Sequence, residues 1–352
     1  MEFLFTDYKG DVMSRKIYLL LALVFVIAIA GCAKRNTAFE DTQKLTRLAQ
    51  VPVVGQPSEL GTDATHAYVA LDQGGMATIN MDTYELFWYP DMLSQDDSVT
   101  DFWRTRKLSV ASKYNRVFLN EIQFTDRIHI IDSSDPENLR VIYSITGGTY
   151  DIQDIAIREY DEPVEGNVIE IAFCSNINLR YALYNGDFWM GINPIYPVDA
   201  PALLGGVELD DNYIYGAAQQ RGLVTFQKST GAVIGEHAVR GEAQKLVVRN
   251  GYAYIASRQG GLQVVDIRDI NNPISVAEYI TTGYASDVDY SNGIVAVASG
   301  SGGAYVFDAS DPSNIRLIQR ITECGYVNVV KLKDDVLIIG SRDNGVYFYQ
   351  MN

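Results

Sequence analysis

The chain has 352 residues, of which 47% are hydrophobic and 20% charged, and this balance excludes a disordered protein. Its 44 acidic and 28 basic side chains give a formal net charge of −16, which makes nucleic acid and anionic membrane surfaces poor partners for the folded part. The 23 tyrosines and 29 glycines suit many short strands joined by tight turns better than they suit helices.

The first 31 residues have the pattern of an export signal, with Arg15 and Lys16 before the apolar run IYLLLALVFVIAIAG. This run is short for a membrane span, which needs about 20 apolar residues. The ending IAGC resembles a bacterial lipobox, which implies that Cys32 becomes the lipid-modified, palmitate-bearing first residue of the mature chain. An uncleaved membrane anchor is the alternative. Met13 is the more natural start, because acidic residues precede the basic flank when the chain is read from Met1.

The segment AKRNTAFEDTQK after Cys32 is polar and predicts a flexible tether over residues 32–45. Ala33, rather than an aspartate, follows the cysteine. By analogy with the usual sorting rule for lipoproteins, this favours the outer membrane or the cell surface if the host has an outer membrane. The membrane is therefore a predicted partner through the lipid on Cys32.

The C-terminal part of the chain repeats one pattern. The segments SRQGGLQVVDI, SGSGGAYVFDA and SRDNGVYFYQM begin at 257, 299 and 341, so they are 42 residues apart. Weaker copies begin at 217, 120 and 70, and a divergent copy fills residues 167–205. Repeats of this length are typical of solenoids and propellers. We count seven units.

Within one unit, over residues 285–321, four short runs alternate between apolar and polar residues, with Gly, Asn, Asp and Pro between them. This is the pattern of antiparallel strands joined by tight turns. Four such strands cannot bury both faces of their own sheet, but seven sheets packed around an axis can. The sequence therefore predicts an all-β protein, a seven-bladed β-propeller of four-stranded antiparallel blades over residues 46–352. The last unit is one strand short, so we expect the strand at 46–53 to complete it.

The segments LQVVDIRDINNP, AYVFDASDPSN and IHIIDSSDPEN closely resemble the LVIVD repeat, a bacterial β-propeller repeat common in exported proteins. The resemblance implies a fold and a compartment, and it carries no defined activity. Asp132, Asp266 and Asp308 occupy its aspartate position at the end of a strand, where a carboxylate can accept hydrogen bonds from turn amides. We interpret them as structural rather than catalytic or metal-binding. Cys174 and Cys324 lie in non-adjacent units, so we expect two unpaired, buried thiols.

A search for converging catalytic groups yields none. His66, His129 and His237 are the only histidines and are far apart in the sequence, so the chain has no zinc-binding pattern. Acidic stretches at 96–101 and 161–166 cluster oxygens, but neither matches a known calcium loop. We therefore predict no catalytic residue, no metal and no cofactor.

In a propeller blade, the loop between the second and third strands shares one face with the loop to the next blade. This mapping gathers three arginines and three tyrosines at one mouth, where planar guanidinium groups and aromatic faces suit carboxylates or sugar rings. The alternative is that they are ordinary turn residues with solvated charges. The predicted ligand-binding residues are Arg221, Arg258, Arg342, Tyr150, Tyr284 and Tyr326, with Gln73, Phe124 and Glu242 beside them.

The divergent unit contains the long aromatic stretch YALYNGDFWMGINPIYPVDAP. Loops that interrupt a repeat often carry binding, so this stretch is a second candidate surface for a protein or glycan partner. The alternative is that its aromatic rings fill the core of an irregular blade. The residues concerned are Tyr181, Tyr184, Phe188 and Trp189.

These observations predict a lipid-anchored extracytoplasmic β-propeller that acts as a binding or scaffolding module in the bacterial cell envelope, with a protein or polysaccharide partner and no nucleic acid. The alternative is a glycan-acting enzyme with its site at the Arg/Tyr mouth. Glycoside hydrolysis normally needs two carboxylates, and Glu242 and Asp343 are the acid–base candidates there. The sequence gives no indication of the oligomeric state.

Overall fold

The computed structural model describes residues 45–122, 126–146, 151–162, 166–175, 178–185 and 198–351. These residues form seven four-stranded antiparallel sheets and one two-stranded hairpin. No helix among the described residues is long and apolar enough to cross a membrane. The predicted signal segment, Cys32 and most of the predicted tether lie outside the described residues, as do Phe124, Tyr150, Phe188 and Trp189.

The strands follow one another in the order expected for a propeller. The closing strand is β1 (Leu45–Val51). Blade 1 has β2 (Glu59–Thr62), β3 (His66–Ala70), β4 (Met76–Asn80) and β5 (Leu86–Tyr89), and the hairpin β6 (Asp91–Leu93) and β7 (Val99–Asp101) follows it. Blade 2 has β8 (Thr105–Ala111), β9 (Arg116–Ile122), β10 (Asp126–Asp132) and β11 (Arg140–Thr146). Blade 3 has β12 (Ile152–Glu162), β13 (Gly166–Ser175), β14 (Asn178–Tyr184) and β15 (Val198–Asp199).

The second half of the chain is more regular. Blade 4 has β16 (Gly206–Leu209), β17 (Tyr213–Ala217), β18 (Leu223–Gln227) and β19 (Val233–His237). Blade 5 has β20 (Lys245–Arg249), β21 (Tyr252–Ala256), β22 (Leu262–Asp266) and β23 (Ile274–Tyr279). Blade 6 has β24 (Asp287–Ser291), β25 (Ile294–Ala298), β26 (Ala304–Asp308) and β27 (Arg316–Ile321). Blade 7 has β28 (Val327–Lys333), β29 (Val336–Ser341) and β30 (Gly345–Met351).

The first strand of each blade contacts the first strand of the next, and β28 of blade 7 returns to β2 of blade 1. The seven first strands therefore surround a central channel, and the predicted seven-bladed propeller is confirmed. Second and third strands are buried on both faces, because each sheet packs between two others. This explains why runs such as YAYIA and IVAVA are apolar throughout instead of alternating.

The ring is closed without a covalent bond. Strand β1 pairs antiparallel with β30, with Leu45 opposite Met351 and Val51 opposite Val346. The predicted closing strand is thus confirmed, although it ends at Val51 instead of residue 53, since Pro52 has no N–H to donate to the ladder. The backbone N–H of Leu45 also donates to Oε1 of Gln319 in blade 6, 3.1 Å away.

Replacing Leu45 with Ala tests the closing strand. The Leu45 side chain is 1% exposed and packs in the core between blades 6 and 7, so we expect Leu45→Ala to lower the free energy of unfolding by about 2–5 kcal/mol. Leu48 on the same strand is 42% exposed, and Leu48→Ala should change stability by less than about 0.5 kcal/mol. Denaturant unfolding of both variants measures the difference, and equal effects would contradict a closing role for β1.

Candidate functional site

The predicted loop face is built by a repeated contact between neighbouring blades. In blade 5, Arg258 follows the second strand, and its backbone N–H donates to the carbonyl of Ala285 in the next linking segment at 2.9 Å. Arg258 has φ +36°, in the left-handed region that non-glycine residues rarely adopt. At Gly260, an added Cβ would lie 1.9 Å from the carbonyl oxygen of Arg240, so only glycine allows this close approach.

The predicted arginines each hold a local partner. The Arg258 guanidinium donates to Glu242 at 2.9 Å, and both side chains are partly exposed. The Arg342 guanidinium lies 4.2 Å from the ring centroid of Tyr326 and donates to Asp343 at 3.1 Å. The structure therefore places the predicted Arg342 and Tyr326 in one stacked pair and brings Glu242 to Arg258.

Arg221 and Tyr284 lie outside these two pairs. Arg221 donates to Glu236 at 2.7 Å within blade 4, and the Tyr284 side chain is 63% exposed. No hydrogen bond or ion pair found among the described residues joins Arg221, Arg258 and Arg342 to one another. Exposed ion pairs of this kind contribute about 0–1 kcal/mol each, so a ligand carboxylate can displace the local partner at little cost.

The divergent third blade places its described tyrosines inside the fold. Tyr181 donates its hydroxyl to the buried carboxylate of Glu170, and the Tyr184 ring packs edge-on against Phe118 with centroids 5.8 Å apart. Both tyrosines are buried. The structure therefore supports the core-filling alternative for these two residues and corrects their assignment to an exposed partner patch.

The aspartates of the repeat have the structural role predicted for them. Oδ1 of Asp132, Asp266 and Asp308 each accepts the backbone N–H two residues later at 3.0 Å. At Asp308 this amide, together with the hydroxyl of Ser310 and the guanidinium of Arg316, lowers the pKa of the carboxyl to about 2. The carboxylate is therefore ionised at neutral pH and organises the turn.

The two cysteines are free thiols inside the fold. Cys174 and Cys324 are unpaired and buried, as predicted, and burial raises the pKa of Cys324 to about 11. Within the ranges that the structure describes, no group of three or more His, Cys, Asp or Glu has a geometry that could hold a metal ion.

Sequence reasoning missed a ring of charges in the central channel. In each blade, one residue of the first strand pairs with a residue at the end of the second strand. This first-strand residue is charged in five of the seven blades, and the other two blades have Gly206 and Val329 there. The five residues face one another across the channel axis. They are Glu59, Lys107, Asp154, Lys245 and Asp287.

Three carboxylates share two lysines in this ring. Lys107 donates to Glu59 at 2.9 Å, while Lys245 contacts both Asp154 and Glu59, the latter at 3.4 Å. Gly206 leaves open the space between blades 3 and 5 that Lys245 crosses to reach Asp154. Asp287 has no lysine within ion-pair distance among the described residues, and its Oδ2 accepts the backbone N–H of Val330 instead, at 2.9 Å.

A second level of charges lies further along the channel. Lys331 pairs with Asp289 at 3.3 Å, and Arg249 pairs with Glu208 at 3.5 Å. The channel has a cavity of about 280 Å³, lined by residues of all seven first strands. The sequence contains a signal for both levels, because charged residues recur in the first strands, as Asp287 and Asp289 do two residues apart in β24.

The ring has one negative charge more than it can pair, and this shifts the titration of its members. Burial and the neighbouring carboxylate of Glu59 raise the pKa of Asp287 to about 7. Burial also raises the pKa of Glu59, but Lys107 and Lys245 outweigh it, so that the pKa lies below its usual value. A proton shared in this ring therefore resides on Asp287.

Comparisons with known proteins agree with this architecture. Residues 240–281 and 282–323 each match the LVIVD repeat, and these segments contain blades 5 and 6. The WD40 β-propeller domain of Doa1 is similar to this chain with a TM-score of 0.65 and 13% identity, over 88% of this chain and 97% of that domain. A computationally designed protein, Ika8, is similar with a TM-score of 0.58 and 11% identity, over 86% of this chain and 99% of its own. No curated protein matches.

At these identities the likeness to solved structures shows the fold alone. The chain is a seven-bladed β-propeller repeat protein that carries LVIVD repeats in blades 5 and 6.

Asp287→Asn tests the charge ring through the pH dependence of stability. Because the folded pKa lies above that of the unfolded carboxyl, the folded protein binds the extra proton between about pH 4 and 7. This stabilising contribution is full below the unfolded pKa and is lost as pH rises through 7, with a slope of up to about 1.4 kcal/mol per pH unit. Denaturant unfolding from pH 5 to 8 should show that this slope is reduced in Asp287→Asn.

The matched control is Asp311→Asn. Asp311 lies in an exposed turn, where Ser313 lowers the pKa of its carboxyl, so its titration falls below this pH window. Its variant should keep the wild-type slope. A slope that is the same in both variants would show that Asp287 is not the titrating group.

Proposed function

We propose that this protein is a lipid-anchored binding or scaffolding module of the bacterial cell envelope, whose propeller binds an acidic polysaccharide or protein through the loop face. The observation that carries the proposal is the stacked Arg342–Tyr326 pair, with Arg258 at the same repeat position two blades away. Both guanidinium groups are about half exposed, and each forms an ion pair with a surface carboxylate. A ligand carboxylate can take the place of that partner and keep the bidentate geometry that arginine favours.

The scaffold supports such a role because its loops are held by backbone hydrogen bonds and by serine hydroxyls at the loop starts, such as that of Ser257, which donates to the carbonyl of Arg240 at 2.6 Å. Backbone hydrogen bonds join the loop of one blade to the linking segment of the next, as between Gly300 and Val327 at 3.0–3.1 Å. Exposed side chains such as Tyr284 therefore vary without cost to the fold. A rigid disc with an aromatic and guanidinium-bearing face suits a binding module.

The same geometry favours binding over glycan hydrolysis at this mouth. Glu242 is engaged by Arg258, and Asp343 is engaged by Arg342 in the adjacent position. Hydrolysis of a glycosidic bond needs two carboxyl groups that act on the same bond, whereas each of these two carboxylates is held by its own arginine. This arrangement supports binding as the proposed role of the mouth.

The binding face is tested with Arg258→Ala/Arg342→Ala in the full-length chain on arrays of glycans and cell-envelope proteins. Hydrogen bonds to charged groups contribute about 1.5–3 kcal/mol each, so we expect affinity to fall at least tenfold in this double variant. The array that carries the signal distinguishes a polysaccharide from a protein partner.

The control is Arg268→Ala/Arg316→Ala, which removes the same charge from the opposite face. These exposed arginines pair with Asp266 and Asp308 beside the loops between third and fourth strands. The control should bind as the wild type does. Binding that is retained in the first double variant and lost in the control would place the ligand on the other face.

Anchoring is tested at Cys32. We expect metabolic palmitate labelling of the wild-type chain and its loss in Cys32→Ser, with the variant protein moving from the membrane fraction to the soluble fraction, because the lipid would be the only attachment. Cys174→Ser is the control, since this buried thiol should not affect either readout. An unlabelled wild-type chain, or a Cys32→Ser chain that stays in the membrane, would instead indicate an uncleaved anchor.

A further inference from the structure

Blade 2 contains a hydrogen-bonded chain of three side chains outside both the loop face and the channel. The Oγ atom of Ser144 lies 2.8 Å from Nδ1 of His129, and Nε2 of His129 lies 2.9 Å from Oε2 of Glu121. Glu121 is on β9, His129 on β10 and Ser144 on β11, so three adjacent strands of one sheet hold them. His129 and Ser144 are directly opposite each other in the strand ladder.

The carboxylate determines which atoms donate in this chain. Glu121 is ionised, because hydrogen bonds from His129 and from the backbone N–H of Trp103 outweigh burial and hold the pKa of its carboxyl below the usual value. An ionised carboxylate only accepts, so Nε2 of His129 must carry the proton. In the neutral ring Nδ1 is then the acceptor, and the Ser144 hydroxyl must donate to it.

The Glu121–His129 end of this chain is buried, and the Ser144 end is accessible to solvent. His129 and Glu121 are fully buried, and the ring of Phe102 packs edge-on against His129 with centroids 5.4 Å apart. Arg127 lies 3.9 Å from Glu121. Ser144, in contrast, is partly exposed on the outermost strand of the blade.

The position of Ser144 also supplies amide donors. Strand β11 is paired with β10 on one side only along its Tyr143–Ile145 portion, and successive residues of an antiparallel strand point their N–H groups alternately toward and away from the partner. An outward-facing backbone N–H therefore lies at Ser144 or at its immediate neighbours. A backbone N–H without a strand partner is the kind of group that can stabilise the oxyanion formed when a serine attacks a carbonyl.

We propose that Ser144 is a nucleophile that His129 activates as a general base and that accepts the acyl group of small activated esters, with Glu121 as the positioning residue. The Ser144 oxygen forms a bond to the carbonyl carbon while its proton passes to Nδ1 of His129. The ester C–O bond then breaks, and the same proton goes to the departing alcohol or phenol. Water repeats the two steps on the acyl-serine and releases the acid. This activity is separate from the proposed binding function.

The full-length chain, treated with a fluorophosphonate reporter, tests the proposal. We expect one covalent label per chain, which peptide mass spectrometry locates at Ser144, and hydrolysis of p-nitrophenyl acetate above the uncatalysed rate. Ser144→Ala should abolish both. His129→Gln should slow labelling by at least about a hundredfold, which is the usual contribution of a general base.

The chain offers a matched control in the pair formed by His237 and Ser275, whose Nε2–Oγ distance is also 2.8 Å. No carboxylate among the described residues hydrogen-bonds the other ring nitrogen of His237. Ser275→Ala should therefore leave labelling unchanged. Glu121→Gln should slow labelling and Glu121→Asp should restore part of the rate, because a carboxylate on Nε2 fixes the tautomer and orientation of the ring.

Three results would overturn the proposal. One is a folded wild-type chain that takes up no reporter, and another is a label that mapping places on a residue other than Ser144. The third is labelling of Glu121→Gln at the wild-type rate, which would leave Glu121 with a packing role only. Because the adduct is mapped on the wild-type chain, the first two results do not depend on whether a variant folds.

Discussion

The whole propeller depends on how it satisfies the free edges of its first strands. Each first strand is paired on one side only, so a row of backbone groups faces the channel and the next blade. Carboxylates accept the amides across this gap, from Val207 to Asp154 and from Leu332 to Asp289. Hydroxyls donate to the carbonyls, as Ser109 does to Ile155 at 2.6 Å. These cross-blade bonds add to the apolar packing between sheets, to the backbone bonds of the loop face and to the ion pairs of the channel.

The carboxylates that accept these amides are buried and lose their hydration, and the lysines of the charge ring offset that desolvation cost. Lys245 is held well above its ordinary pKa, since Asp154 and Glu59 outweigh the effect of burial. Removal of one member of such a network leaves a buried charge without a partner, which is more costly than never having the pair. Burial and the neighbouring Glu59 raise the pKa of the third carboxylate, Asp287, to about 7, so that it is partly protonated at neutral pH.

Because the centre holds the blades, the loop face and the outer strands are free to carry function. The exposed pairs at Arg258 and Arg342 contribute little to stability, which makes them suitable for exchange with a ligand. The chain of Glu121, His129 and Ser144 uses the rigidity of a three-strand ladder in the same way. Both sites rest on backbone geometry that the repeat provides and on side chains that the repeat does not specify.

The sequence by itself determined the blades, the turns and the closing strand, because short β-prone runs, turn residues and the 42-residue spacing depend on local geometry that is read along the chain. It also indicated that Arg258 and Arg342 share one repeat position. Only the tertiary structure decided the charge ring, since Lys245 meets Asp154 and Glu59 across 91 and 186 residues. Likewise, the sequence suggested Tyr181 and Tyr184 as a surface patch, whereas packing buries both. His129 is far from the other histidines in the sequence, but the strand ladder places it between Glu121 and Ser144. Which side chains are buried, and which ones meet in the ring, depends on how segments far apart in the sequence pack together. Patterns read along the chain do not contain this information.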